Sequence, residues 1–525
     1  MMTQRNVLKW TIRILLRTVL AGFIVFVTIL LVRAFDTRRM PDLQVWHSVK
    51  LSNEFERSVF GSEITFKQYQ DLEDKLFAEL DEKVFSEAGP SKQHKYNRYT
   101  RSSLSCPDRF SQNWNRSFEL VPERTEGGVL LIHGLTDSPY SMKDLAELFY
   151  KDNFYVLALR MPGHGTVPAG LTDVSWKDWM AALKIGVAHV RQKAGSDHPF
   201  YMAGYSNGGA LSLLYTLESL GTDDLVSPDR VFLFSPAIGI TKFAVMAQWL
   251  KLTSVVPYFE QSKWNSIAPE YDPFKYNSFP LNAAEQSRNL SKKVQKSVID
   301  CQKKGTLSKL PPVMTFQSAV DSTVIAGDVV RFYEKLSSNG HELIIFDTNQ
   351  RALLKNFLKT SPLASLNESG ISDKRNYTLA IITNKDPDSI EIIARTQDEN
   401  TNSFNDIPLN LSWPDGIYSL SHLAIPFPMD DPVYGTKPLA PPRSHIQLGD
   451  IYMRGERNVL RIPEKDLMRL RCNPFWEYVK KRVEGAITKD KQKIISDPVD
   501  TESGQGEDDI KVVSLRVFDD APHGR

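Results

Sequence analysis

The chain has 525 residues, and 64 basic against 63 acidic side chains leave a formal net charge of +1, so it carries no electrostatic footprint for nucleic acid. Hydrophobic residues at 41% and charged residues at 24% are globular proportions, which exclude collagen-like, disordered and coiled-coil chains. Cys106, Cys301 and Cys472 form no C-x-x-C pair and are too few for a disulfide scaffold; they allow one bridge at most, with one thiol left over.

Arg5, Lys9, Arg13 and Arg17 precede an uncharged run, Thr18 to Val32. As a helix that run spans about 22 Å against a hydrocarbon core of about 30 Å. Extended to Ile14 through Phe35 it reaches about 33 Å, provided that Arg17 and Arg33 snorkel to the two interfaces. The expectation is an uncleaved single-pass anchor over residues 1–40. The N-terminus is expected in the cytoplasm, and the bulk of the chain on the opposite, extracytoplasmic side of the cell membrane. A cleaved signal peptide competes with this reading, but Arg33, Ala34, Phe35 and Asp36 follow the run where a small-x-small site belongs.

Residues 41–115 read as a helical extension, in which Phe66, Tyr69, Leu72, Leu76 and Leu80 recur at three- and four-residue intervals. From Phe118 onward, apolar runs alternate with helical patterns: GVLLI (128–132), FYVLAL (154–159), PFYMA (199–203), RVFLF (230–234), PPVMTF (311–316) and ELIIF (342–346). Such alternation predicts an α/β fold with a mostly parallel central sheet covered by helices on both faces. The core is expected in two halves, 116–237 and 311–486. Residues 238–310, with Trp249, Leu252, Tyr258, Phe259, Trp264 and Tyr271, are far more than a crossover needs and read as a helical cap. Residues 347–410 read as an insertion, a strand pair (TLAIITN, SIEIIART) followed by a polar loop, and 487–525 as a polar tail.

The strand PFYMA runs into Gly204-Tyr205-Ser206-Asn207-Gly208 and then into a helical pattern. A serine on so tight a strand-to-helix turn is forced toward strained backbone angles, and the flanking glycines make room for its neighbours. The turn raises the hydroxyl above the sheet and sets a helix N-terminus beside it, which marks Ser206 as the candidate nucleophile. GVLLI ends in His133-Gly134-Leu135-Thr136-Asp137. The backbone amides of Leu135 and Asn207 are therefore the expected oxyanion donors, with His133 a loop-organising residue. No H-E-x-x-H, Walker loop or G-x-G-x-x-G after a strand occurs, so no metal or cofactor is expected.

The segments LLIHGLTDSPYS (130–141), LRMPGHGT (159–166) and GYSNGG (204–209), with the turn after PPVMTFQSAV, resemble the α/β-hydrolase superfamily. The likeness is to its carboxylesterase, monoacylglycerol-lipase-like and serine-aminopeptidase-like members. The resemblance implies a Ser, Asp, His order along the chain, a nucleophile elbow and a cap. It points to Asp321 as the acid, with Asp328 in the next helix as the alternative. The histidine departs from the family pattern, because TNQRALLKNF beyond ELIIFD contains none. His341 precedes that strand and emerges at the wrong edge, and His445 and His523 have unpatterned surroundings. His422, after the insertion, is the expected base, and His164 in the MPGHGT loop is expected to be structural. The expected activity is hydrolysis of a small-molecule or lipid ester through an acyl-enzyme on Ser206. Transfer to another acceptor by the same residues, or a catalytically silent binding module, are the alternatives.

Overall fold

Runs of Val, Leu, Ile and Phe with no polar face belong in the middle of a sheet covered on both sides. The structure, a computed structural model, describes residues 4–37, 40–61, 64–87, 96–239, 260–348, 374–413, 419–438, 444–449 and 469–496. Its strands are Phe118–Leu120 (β1), Gly127–Ile132 (β2), Phe154–Leu159 (β3), Phe200–Tyr205 (β4), Arg230–Phe234 (β5), the short pair Trp264–Ser266 (β6) and Phe279–Pro280 (β7), then Val313–Ser318 (β8), Glu342–Asp347 (β9), Thr378–Asn384 (β10), Glu391–Gln397 (β11) and Asn405–Ser412 (β12). The main sheet has ten strands in the order β1-β3-β2-β4-β5-β8-β9-β10-β11-β12. From β3 to β10 every pairing is parallel, and β1, β11 and β12 join antiparallel. Each parallel strand from β2 to β9 is buried at every position.

Helices of two turns or more are Gln4–Thr37 (α1), Phe66–Leu80 (α2), Lys143–Lys151 (α3), Trp176–Ala194 (α4), Asn207–Ser219 (α5), Leu281–Lys304 (α6), Ala326–Tyr333 (α7) and Trp476–Ser496 (α8). The pleat divides each strand between two layers. Tyr155, Leu157 and Leu159 of β3 join the core formed with α4, α5, α6 and α7. Phe154 faces the other way, against Phe149 of α3 at 5.7 Å between ring centroids.

Helix α6 lies inside the stretch expected as a cap, yet it packs into the main core, against α5 and α4. Leu290, Val294, Val298 and Cys301 share one helical face and pack in the core that holds Leu211 and Leu214 of α5. The remainder, between β5 and α6, includes 240–259, so Trp249, Leu252, Tyr258 and Phe259 lie outside the described residues. The stretch expected as an insertion extends the sheet. The polar loop at its end is β12, an edge strand exposed at most positions, and such a strand leaves no apolar pattern to read. The expected tail begins as helix, since α8 runs to Ser496. Residues 1–480 form one compact unit and 481–525 a second.

The N-terminal extension is built onto the sheet's first half. A capping box between Thr65 and Gln68 starts α2, and its Tyr69 hydroxyl donates to the Arg160 carbonyl at 2.7 Å. The buried Arg160 guanidinium donates to Glu54 at 2.9 and 3.1 Å. The three cysteines are all unbridged and buried.

The membrane anchor is where the structure falls short of expectation. Residues 4–37 are helical, but among the described residues no helix is long and apolar enough to cross a membrane. Arg17 and Arg33 limit the uncharged run to about three quarters of the hydrocarbon thickness.

Candidate active site

Strand β4 ends at Tyr205 and α5 begins at Asn207, so Ser206 makes the whole turn alone, with φ 54° and ψ −114°. That backbone is costly for a residue with a Cβ and persists only where its surroundings fix it. Here the Ser206 N–H donates to the Phe234 carbonyl at 2.8 Å, and its carbonyl accepts from Ala237 at 3.0 Å. The motif glycines have a steric cause. A Cβ on Gly208 would stand 2.2 Å from the Ile132 carbonyl oxygen, and one on Gly204 would stand 2.4 Å from the Gly208 oxygen. The first turn of α5 is thereby pressed against the end of β2, which brings Asn207 and the Leu135 loop side by side. As the first helical residue, Asn207 has an N–H with no acceptor inside its own helix. Leu135 is half-buried in the loop after β2.

Asp321 sits in the turn after β8, and His422 opens a single 3-10 turn, His422–Ala424. The His422 Nε2 is 3.0 Å from the Ser206 Oγ, and its Nδ1 is 2.7 Å from the Asp321 Oδ2. A carboxylate at Nδ1 fixes the tautomer: Nδ1–H donates to Asp321, and Nε2 accepts from the Ser206 hydroxyl. All three side chains are buried. Burial by itself pushes the Asp321 carboxyl up, but His422 and the amides of Val324 and Thr323 together hold it below the usual carboxylate range. Those amides donate to Oδ1 at 2.9 and 2.8 Å, and Gln317 donates to Oδ2 at 3.2 Å.

The loop that delivers His422 is tied to the core on both sides. The Ser318 hydroxyl donates to the Leu420 carbonyl at 2.8 Å, and the Tyr205 hydroxyl to the His422 carbonyl at 3.2 Å. Sequence reasoning did not find Tyr205, Ser318 or Gln317 as supports. Tyr205 stands at an unrestricted position of the serine motif, and the other two carry no signal beyond their strand.

The other candidates lie elsewhere. His133 is buried and accepts from the Met161 N–H at 3.0 Å through Nε2, while Nδ1 donates to the Gly134 carbonyl. Burial lowers its pKa to about 3, so it is a neutral brace between two loops. His164 contacts the Pro162 carbonyl at 3.0 Å. Asp328 pairs with Arg331 in the first turn of α7. His341 accepts from the Val313 N–H at the start of β8, the opposite end of that strand from Asp321. His445 stacks on Phe110 at 4.4 Å, and His523 lies outside the described residues. Among the described residues no cluster of His, Cys, Asp or Glu is placed to hold a metal ion.

Residues 123–351 match the family described as serine aminopeptidase, S33. This domain is a serine hydrolase of the α/β-hydrolase fold. The hydrolase is 26% identical over 219 residues to a thermostable monoacylglycerol lipase of Bacillus sp. (strain H-257), covering 41% of this chain and 79% of that one. Among solved structures it is similar to a soluble variant of monoglyceride lipase from Saccharomyces cerevisiae, with 14% identity, coverage of 44% and 81%, and a TM-score of 0.35. It is also similar to a Paleococcus ferrophilus monoacylglycerol lipase, with 18% identity, coverage of 44% and 87%, and a TM-score of 0.34. The family match ends at residue 351, before His422.

Proposed function

We propose that the hydrolase cleaves a carboxylic ester through an acyl-enzyme on Ser206, with His422 as general base and Asp321 as its orienting acid. The observation that carries this reading is one imidazole within hydrogen-bond distance of both the strained serine hydroxyl and a buried carboxylate. In the first step the Ser206 Oγ forms a bond to the acyl carbon, and its proton passes to His422 Nε2. Asp321 stabilises the imidazolium through Nδ1–H. The Leu135 and Asn207 amides receive the negative charge on the carbonyl oxygen. Collapse expels the alkoxide, which takes the proton from His422. Water then repeats the sequence on the acyl-enzyme and frees the acid. The relative that works on monoacylglycerol supports a lipid-derived ester as the substrate class.

A fluorophosphonate probe is expected to label the wild-type enzyme and to spare Ser206→Ala; equal labelling of both would reject the assignment. Anchoring is part of the same proposal. Trp10, Leu15, Leu16, Val19, Leu20 and Phe23 of α1 are exposed, and apolar surface of that extent calls for a cover. The reading is an uncleaved helix, N-terminus in the cytoplasm, with the catalytic domain beyond the membrane. A reporter fused after residue 60 is expected to be active outside the cytoplasm, and cytoplasmic activity would reverse the topology.

A further inference from the structure

An oxyanion hole stabilises charge only if its amides are already in place when the charge develops. The Asn207 amide is fixed by its helix, whereas Leu135 lies in a loop whose next residue, Thr136, has φ 66°. A threonine holds such a backbone only where neighbours impose it. The neighbours are Lys275 and Tyr276, well over a hundred positions away in sequence. The Tyr276 N–H donates to the Thr136 carbonyl at 2.9 Å. The Lys275 ammonium donates to the Asp137 Oδ1 at 2.6 Å, with the carboxylate side chain 8% exposed.

The segment that provides them is itself rigid. The fully buried Asp272 Oδ1 accepts from the amides of Phe274 and Lys275, each at 3.1 Å, and from the Tyr434 hydroxyl at 2.5 Å. The Tyr276 hydroxyl donates to the Gly163 carbonyl and accepts from the Thr166 N–H at 2.7 Å. The loop after β2 is thus held from a fixed point outside its own strand.

We propose that Lys275 is a positioning residue for oxyanion stabilisation. Its ion pair with Asp137, beside the Tyr276–Thr136 hydrogen bond, holds residues 134–137 in the backbone conformation that presents the Leu135 amide. Lys275 also balances a carboxylate two residues from that amide, which unbalanced would oppose the negative charge of the intermediate. Burial pushes the Asp137 carboxyl above its usual range, and Lys275 works against that rise. The proposal rests on the assignment of Ser206 and Leu135 above.

The test measures kcat and KM for p-nitrophenyl acetate, the rate of fluorophosphonate labelling and the thermal midpoint. The variants are Lys275→Met, Asp137→Asn, the double variant, Lys275→Arg, and Lys385→Met as a control on the distant β10–β11 hairpin. Each single loss is expected to lower kcat and the labelling rate about ten- to a hundredfold, the scale of a small displacement of a catalytic group, with KM within about threefold of wild type. The double variant should be no slower than the slower single one, and Lys275→Arg should recover most of the rate. Wild-type kcat in the single variants, or a raised KM with kcat intact, would overturn the proposal. So would losses that multiply in the double variant. If Lys275→Met does not fold, Asp137→Asn, which keeps the side-chain volume, decides the question. A wild-type enzyme that takes no label would bring down the assignment of Ser206, and this proposal with it.

Discussion

The two halves of the sheet assemble their share of the site in different ways. In the first half, residues 118–239, each group comes from a strand end: Ser206 from β4, Asn207 from the helix it starts, and the Leu135 loop from β2. Little chain separates cause from effect, and steric contacts as close as the Gly208 approach to Ile132 leave one arrangement. In the second half Asp321 follows β8 in the same manner, but His422 arrives only after four further strands. Its loop is set by single hydrogen bonds from Ser318 and Tyr205. The comparison teaches that a strained, close-packed turn is specified by its own few residues, whereas a histidine on a long return is specified by what receives it.

The largest expected effect falls on the second half. His422→Ala should lower kcat for a short-chain p-nitrophenyl ester by about 10⁴-fold or more, and Asp321→Asn by about 10⁴-fold. Asp328→Asn should leave the rate within about twofold. If Asp328→Asn proved as damaging as Asp321→Asn, the acid would have to be reassigned.

In the first half the glycine contacts predict loss of stability before loss of chemistry. Gly208→Ala should cost about 2–3 kcal/mol, because its methyl meets backbone that side-chain rotation cannot clear. Chemical denaturation reads this out, and an unchanged midpoint would show that the elbow is looser than its contacts imply.

Acid should act through buried neutral histidines. Burial lowers His341 to about 4, so the folded state refuses a proton that the unfolded state accepts below about 6.5. Stability from this group is complete above that value and is lost as pH falls toward 4, by about 1.4 kcal/mol per pH unit. His341→Asn, which keeps an acceptor for the Val313 N–H, should flatten the fall in stability between pH 6 and 4 by about one proton. An unaltered slope would mean that His341 takes up its proton while folded.

The smallest effect belongs to the outermost strands. Arg395 of β11 and Asp406 of β12 form a half-exposed ion pair at 2.8 Å. Arg395→Met should cost under about 1 kcal/mol and leave kcat unchanged. A marked fall in kcat would show that the added strands reach the His422 loop energetically.

The sequence revealed the parallel strands because burial on both faces leaves uninterrupted apolar runs such as FYVLAL, and it revealed the elbow because only small residues tolerate the contacts made at Gly204 and Gly208. Taken with the family resemblance it pointed to His422, since no histidine follows β9 where the family pattern places one. It missed β12, whose edge position demands no apolar face, and it assigned α6 to the cap, because an amphipathic helix does not state which apolar surface it will cover.

By itself, then, the chain order determined the local objects: a sheet of buried strands and a serine forced onto a cramped turn, with Asp321 after β8 offered only through the family resemblance. Only the tertiary structure decided what those objects meet. The contact of His422 with Ser206 and Asp321, and the grip of Lys275 and Tyr276 on the loop after β2, join residues far apart along the chain. Periodicity and steric demand act over a few neighbouring residues, whereas a hydrogen bond between distant loops exists only once the strands that carry them have paired.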